Sequence, residues 1–530
     1  MNGLLCSVVF LTPLAVVLSG WYRHSKWSLF VAALPPLAAS LAIPAGETVM
    51  LSWLFLGSQL GTDAVTQWLL PATALVWAVA ALQYAASAKA DPDANRFRLF
   101  FLLAMCGNLL LLLAQDMIVF YVGYALMGLA GYGLLVHPRS TQARVAAGTY
   151  LRWTIAGELL LFSGLLSLAH DNGSTLLPLA DSATLSAWTL ALMIAAFGIK
   201  IGLPGLHAWM PGTYTASSTT GSVVFSGAMA NAGILGLLHF LPLQQAGYST
   251  AGMLLLAFGL LGAFYGVLLG LPQRQPKTIL AYSSISQLGT LAAIIGLALM
   301  QPSLAPALIV AVTVYAVHHG LIKAALFLTL DSVGQARWRG LSIGILVILS
   351  LVMAGLPFSS GAVAKGMVKE AIAADHAWLV TLLTIAGIAT ALLMTRFLFA
   401  SLAPKRTKLI RPFISAAGLG LALLIAASIA AYQAVPLPSL NAHAIWPVAI
   451  AMPIVIAFAM LPMGARQALQ PVIPRGDLPY LVARALLRLG ARYRATITWS
   501  ELRNRLKAVL LPESGPVHQL DKTSDMRPDR

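Results

Sequence analysis

The sequence predicts an all-α polytopic membrane protein with about fifteen transmembrane helices, arranged as two inverted repeats that each contain a broken helix. Three observations lead there. Of 530 residues, 59% are hydrophobic and only 9% are charged, whereas soluble domains carry roughly 25% charged residues. Apolar stretches recur along the chain at about 18–25 residues, the length of a membrane-crossing helix and not of a barrel strand. The loops between them alternate between basic and nearly uncharged. The net charge of +16 is therefore a topology signal and not a nucleic-acid surface.

The spans follow in order. Residues 4–21 and 28–46 flank the basic loop RHSK (23–26), and AGET (45–48) lies on the opposite side. Residues 65–87 and 98–114 flank KADPDANRFR (89–98), and 117–136 and 149–169 flank HPRSTQAR (137–144). After HDNGS (170–174) come 184–209 and 221–242, joined by an uncharged loop on the basic side, then LQQAGYS (243–249). Residues 251–271 and 279–299 flank PQRQPK (272–277), and MQPS (300–303) leads to 304–330. GQARWRG (334–340) separates that span from 339–357, and 377–402, 411–434 and 444–463 complete the series around PKRTK (404–408) and PLPSLNA (436–442). The K/R bias places the N-terminus outside and the C-terminus in the cytoplasm of a bacterial inner membrane. No cleaved leader is expected, because no basic segment precedes the first apolar run. Residues 464–530 hold 12 of the 33 Lys and Arg, and 480–511 reads as a basic amphipathic helix suited to anionic lipid or a partner. The organisation is 1–96 N-terminal helices, 97–245 first repeat, 246–403 second repeat, 404–463 C-terminal helices and 464–530 basic cytoplasmic tail.

Ionisable groups deep in a span are costly and mark ion paths or proton relays. Lys200 in 197-FGIKIGLPGLHAWMPG-212 lies about sixteen residues into its span, just before a Gly-Leu-Pro-Gly break. Pro204 removes a backbone donor there. A second Gly-Leu-Pro break occurs in 354-AGLPFSSGAVAKGMVKEA-371, beside Lys365 and Lys369. Paired interrupted helices point to a repeated transporter core. Between them, 315-YAVHHGLIKAALFLTLD-331 carries His318, His319 and Lys323. His319 and Lys323 are four residues apart and share a helix face, a spacing suited to a relay through a group that titrates near neutrality. Glu158 is the one acid deep in the first half and is the expected partner of Lys200, with Arg152 competing for it. Lys277 begins a span, followed by Tyr282, Ser283, Ser284 and Ser286, which could hold hydrogen-bonded water. His207 is expected near a span end, as a gate residue at the mouth of the path, and Asp116 and Asp331 are expected at the interface. Two cysteines, Cys6 and Cys106, in apolar segments and with no CxxC, give no support for haem, iron–sulfur or zinc sites.

IKIGLPGLHAWMP (199–211), PKTILAYSSISQLG (276–289), HGLIKAALFL (319–328) and FSSGAVAKG (358–366) together resemble the antiporter-like membrane subunits of respiratory complex I, hydrogenase-4 type membrane-bound hydrogenases and multisubunit Na+/H+ antiporters. The resemblance covers most of residues 60–400. It implies that Lys200, Lys277, His319, Lys323 and Lys365 belong to a proton-transfer chain along the membrane mid-plane. The chain departs from the family pattern in several places. In 123-GYALMG-128, Ala125 stands where the family has a glutamate that pairs with the broken-helix lysine. In 222-SVVFSGAMANAG-233, Phe225 and Asn231 stand where a histidine and a lysine are usual. The Asn-Ala-Gly wording is similar to the membrane subunits of bicarbonate-uptake complexes.

The expected function is a proton-translocating, or Na+/H+ exchanging, subunit of a larger complex that binds no cofactor itself. Its partners would be membrane lipid, other membrane subunits and a cytoplasmic iron–sulfur redox or zinc-binding subunit, and nucleic acid is not among them. The alternatives are a proton-conducting subunit of an inorganic-carbon uptake complex, a stand-alone cation/proton antiporter and a non-conducting scaffold.

Overall fold

Backbone groups in an apolar setting must be satisfied within their own segment, and among the described residues the long apolar runs form helices. The structure is a computed structural model. It describes residues 2–434 except 47, 56, 88–92, 177–184, 334–338 and 403–415, together with residues 450 and 453. The expected span 444–463, the tail 464–530 and its amphipathic helix 480–511 lie outside the described residues, apart from residues 450 and 453.

The first helices are α1 (Asn2–Leu18), α2 (Ser28–Ala42), α3 (Thr66–Ser87), α4 (Ala94–Leu113), α5 (Met117–Val136) and α6 (Thr141–Asn172). Next come α7 (Ala187–Ile201), α8 (Trp209–Ala216), α9 (Thr219–Val224) and α10 (Asn231–Phe240), with a π-helical turn at Phe225–Met229 between the last two. The series ends with α11 (Ser249–Gly270), α12 (Pro276–Met300), α13 (Ala305–Ser332), α14 (Arg339–Ala354), α15 (Ser360–Ile372), α16 (Ala377–Leu402) and α17 (Ala416–Ala434). Among the described residues, ten helical stretches are long and apolar enough to cross a membrane, and four apolar helices, α1, α2, α7 and α14, are shorter.

Several expectations are corrected. The structure is not purely helical, because strands β1 (Thr48–Leu51) and β2 (Ser58–Gly61) form an antiparallel hairpin between α2 and α3. The hairpin lies outside the apolar spans, and its edge continues through Leu60 to Ala114. Helix α6 runs for 32 residues, well beyond the expected 149–169, because the Ser140 hydroxyl caps it by accepting from the Ala143 amide. The seventh span does not reach residue 209. It stops at Ile201, where Gly202 takes a left-handed conformation with φ of 73° that glycine adopts without steric cost. Asp116 is not at an exposed interface. It is 3% exposed, its carboxylate caps α5 by accepting from the Val119 amide, and its other oxygen accepts from the Gln59 amide. Asp331 is exposed as expected.

Small residues let the central helices approach closely, as in other membrane bundles. A Cβ on Gly259 of α11 would sit 2.3 Å from the Ala293 amide nitrogen of α12, and one on Gly296 would sit 2.4 Å from that of Leu256. Gly107 of α4 and Gly123 of α5 make the same kind of seam. Helix α12 and the α9–α10 stretch are almost wholly buried, while α6, α11, α16 and α17 keep apolar faces exposed. The ionisable side chains described next hang from this interior.

Candidate ion-transfer site

Helix α7 ends one residue after Lys200, so the ammonium sits in the last turn, at the negative end of the helix dipole. The side chain is 7% exposed. Its Nζ lies 5.1 Å from the centroid of the Tyr124 ring on α5, a cation–π arrangement. Gly233 of α10 makes room for it, since a Cβ there would meet that of Lys200 at 3.0 Å. Glu158 of α6 is 7% exposed, and its charge and that of Lys200 act on one another without a direct ion pair. Its Oε1 has no hydrogen-bond partner and lies against the bare Cα of Gly128, where a Cβ would approach to 2.5 Å. Arg152 is exposed and donates to the Thr149 hydroxyl at 3.4 Å.

Across the break, the Trp209 indole donates to the Ile199 carbonyl at 2.7 Å, joining α8 back to the end of α7. His207 is not at a mouth. It is 1% exposed, with its Nε2 3.3 Å from the Tyr265 hydroxyl of α11. Lys277 is half-buried and tied down, donating to the Ser217 carbonyl at 2.8 Å and the Ser222 hydroxyl at 3.1 Å.

In the second half, Lys323 is fully buried and donates to the Leu280 carbonyl of α12 at 2.9 Å. One turn earlier on α13, His319 is also fully buried, and neither ring nitrogen has a hydrogen-bond partner. His318 places Nδ1 2.9 Å from the Ser360 hydroxyl, while its Nε2 is unpartnered. Lys365 of α15 donates to the carbonyls of Met353 and Ala354 at 2.8 and 3.0 Å. These lie at the C-terminal end of α14, where carbonyls lack helical partners. Electrostatic interaction runs stepwise from Lys323 to His319, His318, Lys365 and Lys369. The structure therefore groups the expected residues into a Glu158–Lys200 site and a Lys323–Lys369 string, with Lys277 on separate tethers.

Sequence reasoning missed several members. Asn231 of α10 lies two residues before Gly233, and its amide donates to the Ala316 carbonyl of α13 at 3.3 Å. Its Oδ1 is buried and unpartnered, so it stands between the two groups. Tyr315 donates to Gln287 Oε1 at 2.7 Å, and Gln287 Nε2 donates to the Thr390 hydroxyl at 2.9 Å. The three line a small cavity with Lys365 and Lys369 that has room for about one water molecule. Of the expected water-holding serines, Ser284 and Ser286 donate to the carbonyls of Leu280 and Ala263, and the Ser283 hydroxyl is left without a protein partner. Buried polar atoms ordinarily find a partner or an ordered water, so the unpartnered atoms of Glu158, Asn231, His319 and His318 are positions that call for one. Among the described residues, no cluster of His, Cys, Asp or Glu could hold a metal ion.

The NADH:quinone oxidoreductase/Mrp antiporter transmembrane family matches residues 114–393, which span both groups of buried lysines. The chain belongs to that family. It is 27% identical over 347 residues to NADH-ubiquinone oxidoreductase chain 5 of Rhizopus stolonifer, covering 61% of this chain and 50% of the relative. It is 28% identical over 242 residues to hydrogenase-4 component B of Escherichia coli, covering 43% of this chain and 36% of that protein. The chain thus spans about half or less of the length of these two relatives. The fold is similar to a chain of the Mrp complex from a Dietzia species, with a TM-score of 0.72, 21% identity, and coverage of 96% of this chain and 62% of that one.

Proposed function

We propose that the protein carries protons across a membrane as one subunit of a larger complex, through Glu158, Lys200, Asn231, His319, Lys323, His318 and Lys365. The observation that carries this reading is the string of mutually interacting basic groups that runs from the fully buried Lys323, His319 and His318 to the half-buried Lys365, none in an ion pair with a carboxylate among the described residues. Bare cations at that depth cost several kcal/mol. A purely structural role would be met more cheaply by neutral residues. Lys277 and His207 lie outside the string, Lys277 tethered to Ser217 and Ser222 and His207 set against Tyr265. The two broken segments, α7–α8 and α14–α15, support an arrangement as inverted repeats. N-terminus-out orientation follows from the K/R bias of the loops.

Glu158 is assigned the role of counter-charge to Lys200, in place of the residue absent at Ala125. Moving a charge beside a buried lysine changes its affinity for a proton, and a neutral hydrogen-bonded link at Asn231 lets the change pass to His319 through water. The protein supplies no redox centre in this reading. A partner subunit, redox or zinc-bearing, would drive or use the flux, and mass spectrometry of the natively purified complex with iron and zinc quantified would identify which. The direct test is proton flux in proteoliposomes. Lys323→Ala is expected to lower it at least tenfold, and wild-type flux in a stably folded Lys323→Ala protein refutes the reading.

A further inference from the structure

Four aromatic rings occupy the space on one side of Lys200. Phe197 lies one turn before it on α7, Tyr124 and Phe120 lie on α5, and Phe240 ends α10. All four are at most 3% exposed. Phe120 and Phe240 meet edge to face with centroids 4.8 Å apart, Phe197 and Phe240 stack at 5.8 Å, and Phe120 stands 6.1 Å from Phe197. Tyr124 closes the group, 6.2 Å from Phe197 and 6.1 Å from Phe120. The ring of Phe197 lies directly on the backbone of Gly236, where a Cβ would come within 2.1 Å of it.

The rings form layers. Phe120, Tyr124 and Gly128 follow one another at one-turn spacing on α5, so the Phe120 level lies about 6 Å from the Tyr124 level, where the Lys200 ammonium sits, and about 12 Å from the Gly128 level, where Glu158 Oε1 sits. Beyond Phe240 the next ionisable group is its neighbour His239, whose Nε2 lies 2.8 Å from Asp63 Oδ2. The two side chains are within ion-pair reach, and the contact is ionic whenever the imidazole carries a second proton. The Asp63 side chain is 26% exposed, so it reaches water at the end of the bundle where α5 starts and α10 ends.

We propose that Phe120, Phe197 and Phe240 form a water-excluding gate between Lys200 and the His239–Asp63 pair, and that this pair is the outlet of the first half. This rests on the proton-carrying reading above. Rings offer no lone pairs along which a proton can step, so Lys200 exchanges with the outlet only when the rings move and water enters. Gly236 gives Phe197 a smooth backbone surface to slide on, and substitution there would lock or break the seal.

The test is passive proton leak through the purified full-length chain in liposomes, read with an internal pH dye under a potassium diffusion potential. Phe197→Ala and Phe240→Ala are each expected to leak at least tenfold faster than wild type, and Phe197→Leu to stay tight. Adding Lys200→Ala to Phe197→Ala is expected to return the leak to the wild-type level. The gate is refuted if both alanine variants, monodisperse and helical by circular dichroism, are as tight as wild type. It is equally refuted if the leak survives Lys200→Ala, which would make the gap a mere hole. Tight alanine variants alongside a Lys200→Ala variant defective in driven transport sink the gate alone, whereas driven transport unaffected by Lys200→Ala counts against the proton-carrying reading itself.

Discussion

Glu158→Gln isolates one charge with almost no change in shape. Its carboxylate has no hydrogen bond at Oε1 and no direct ion pair, so what it gives Lys200 is field. At a separation of about 6 Å and an effective dielectric near 20, opposite unit charges attract by about 2.8 kcal/mol. If transfer passes through charged Lys200, losing that term slows proton flux by up to about a hundredfold. The assay is proton flux in proteoliposomes for Glu158→Gln, Lys200→Ala and the double variant. Groups acting as a pair are not additive, so the double variant is expected to be no slower than the slower single one. Gly128→Ala is a gentler form of the same perturbation. Its Cβ would lie 2.5 Å from Glu158 Oε1 and 2.9 Å from Thr154 Cγ2, pushing the carboxylate off its seat for an intermediate loss. Ala125→Glu in the Glu158→Gln background is expected to restore part of the flux. Wild-type flux in a well-folded Glu158→Gln protein, or strict additivity in the double variant, would refute the assignment.

Three further outcomes follow from the geometry. Tyr315→Phe removes the donor to Gln287 and leaves Oε1 short of a buried partner, so thermal melts in detergent should show a loss of about 1–3 kcal/mol and flux should fall several-fold. Asp63 caps α3, its Oδ1 accepting from the Val65 and Thr66 amides at 2.8 and 2.7 Å, and Asp63→Ala should cost about 1–2 kcal/mol at neutral pH. Burial alone would raise that carboxyl, but His239 and the two amides overcome it and hold it well below the ordinary carboxylate range. A lowered carboxyl contributes its stabilisation above that range and loses it as pH falls. The gap between wild type and Asp63→Ala should therefore shrink on acidification. Gly259→Ala drives a methyl into the Ala293 backbone of α12, and a lower melting temperature, equivalent to about 1–3 kcal/mol, is expected.

Apolar run length and the Gly-Leu-Pro breaks carried most of the helical layout, because in lipid the backbone has few other options. Lys200, His319, Lys323 and Lys365 stood out for the same reason, as charges in apolar runs. What escaped was whatever depends on contacts between distant segments. The β1–β2 hairpin lies in a loop without membrane periodicity. The Tyr315–Gln287–Thr390 series joins three helices 28 and 103 residues apart in sequence. Asn231 read only as a departure from a motif, and its place between α10 and α13 needed the fold. His207 was placed at a mouth because the apolar run reads as a span ending near residue 209. The helix instead stops at Ile201, and His207 is buried in the segment before α8 begins at Trp209.

The basic string on α13 and α15 has a consequence for stoichiometry. Lys323, His319, His318, Lys365 and Lys369 each feel the next, and none is paired with a carboxylate among the described residues. Like charges about 6 Å apart at an effective dielectric near 20 repel by about 2.8 kcal/mol, which disfavours two adjacent occupied positions by about a hundredfold. On the proton-carrying reading proposed above, the string would work as a turnstile: it would hold few protons at once, and the arrival of one would force out another, so the number leaving would be fixed by the number entering and not by how many basic residues the path contains.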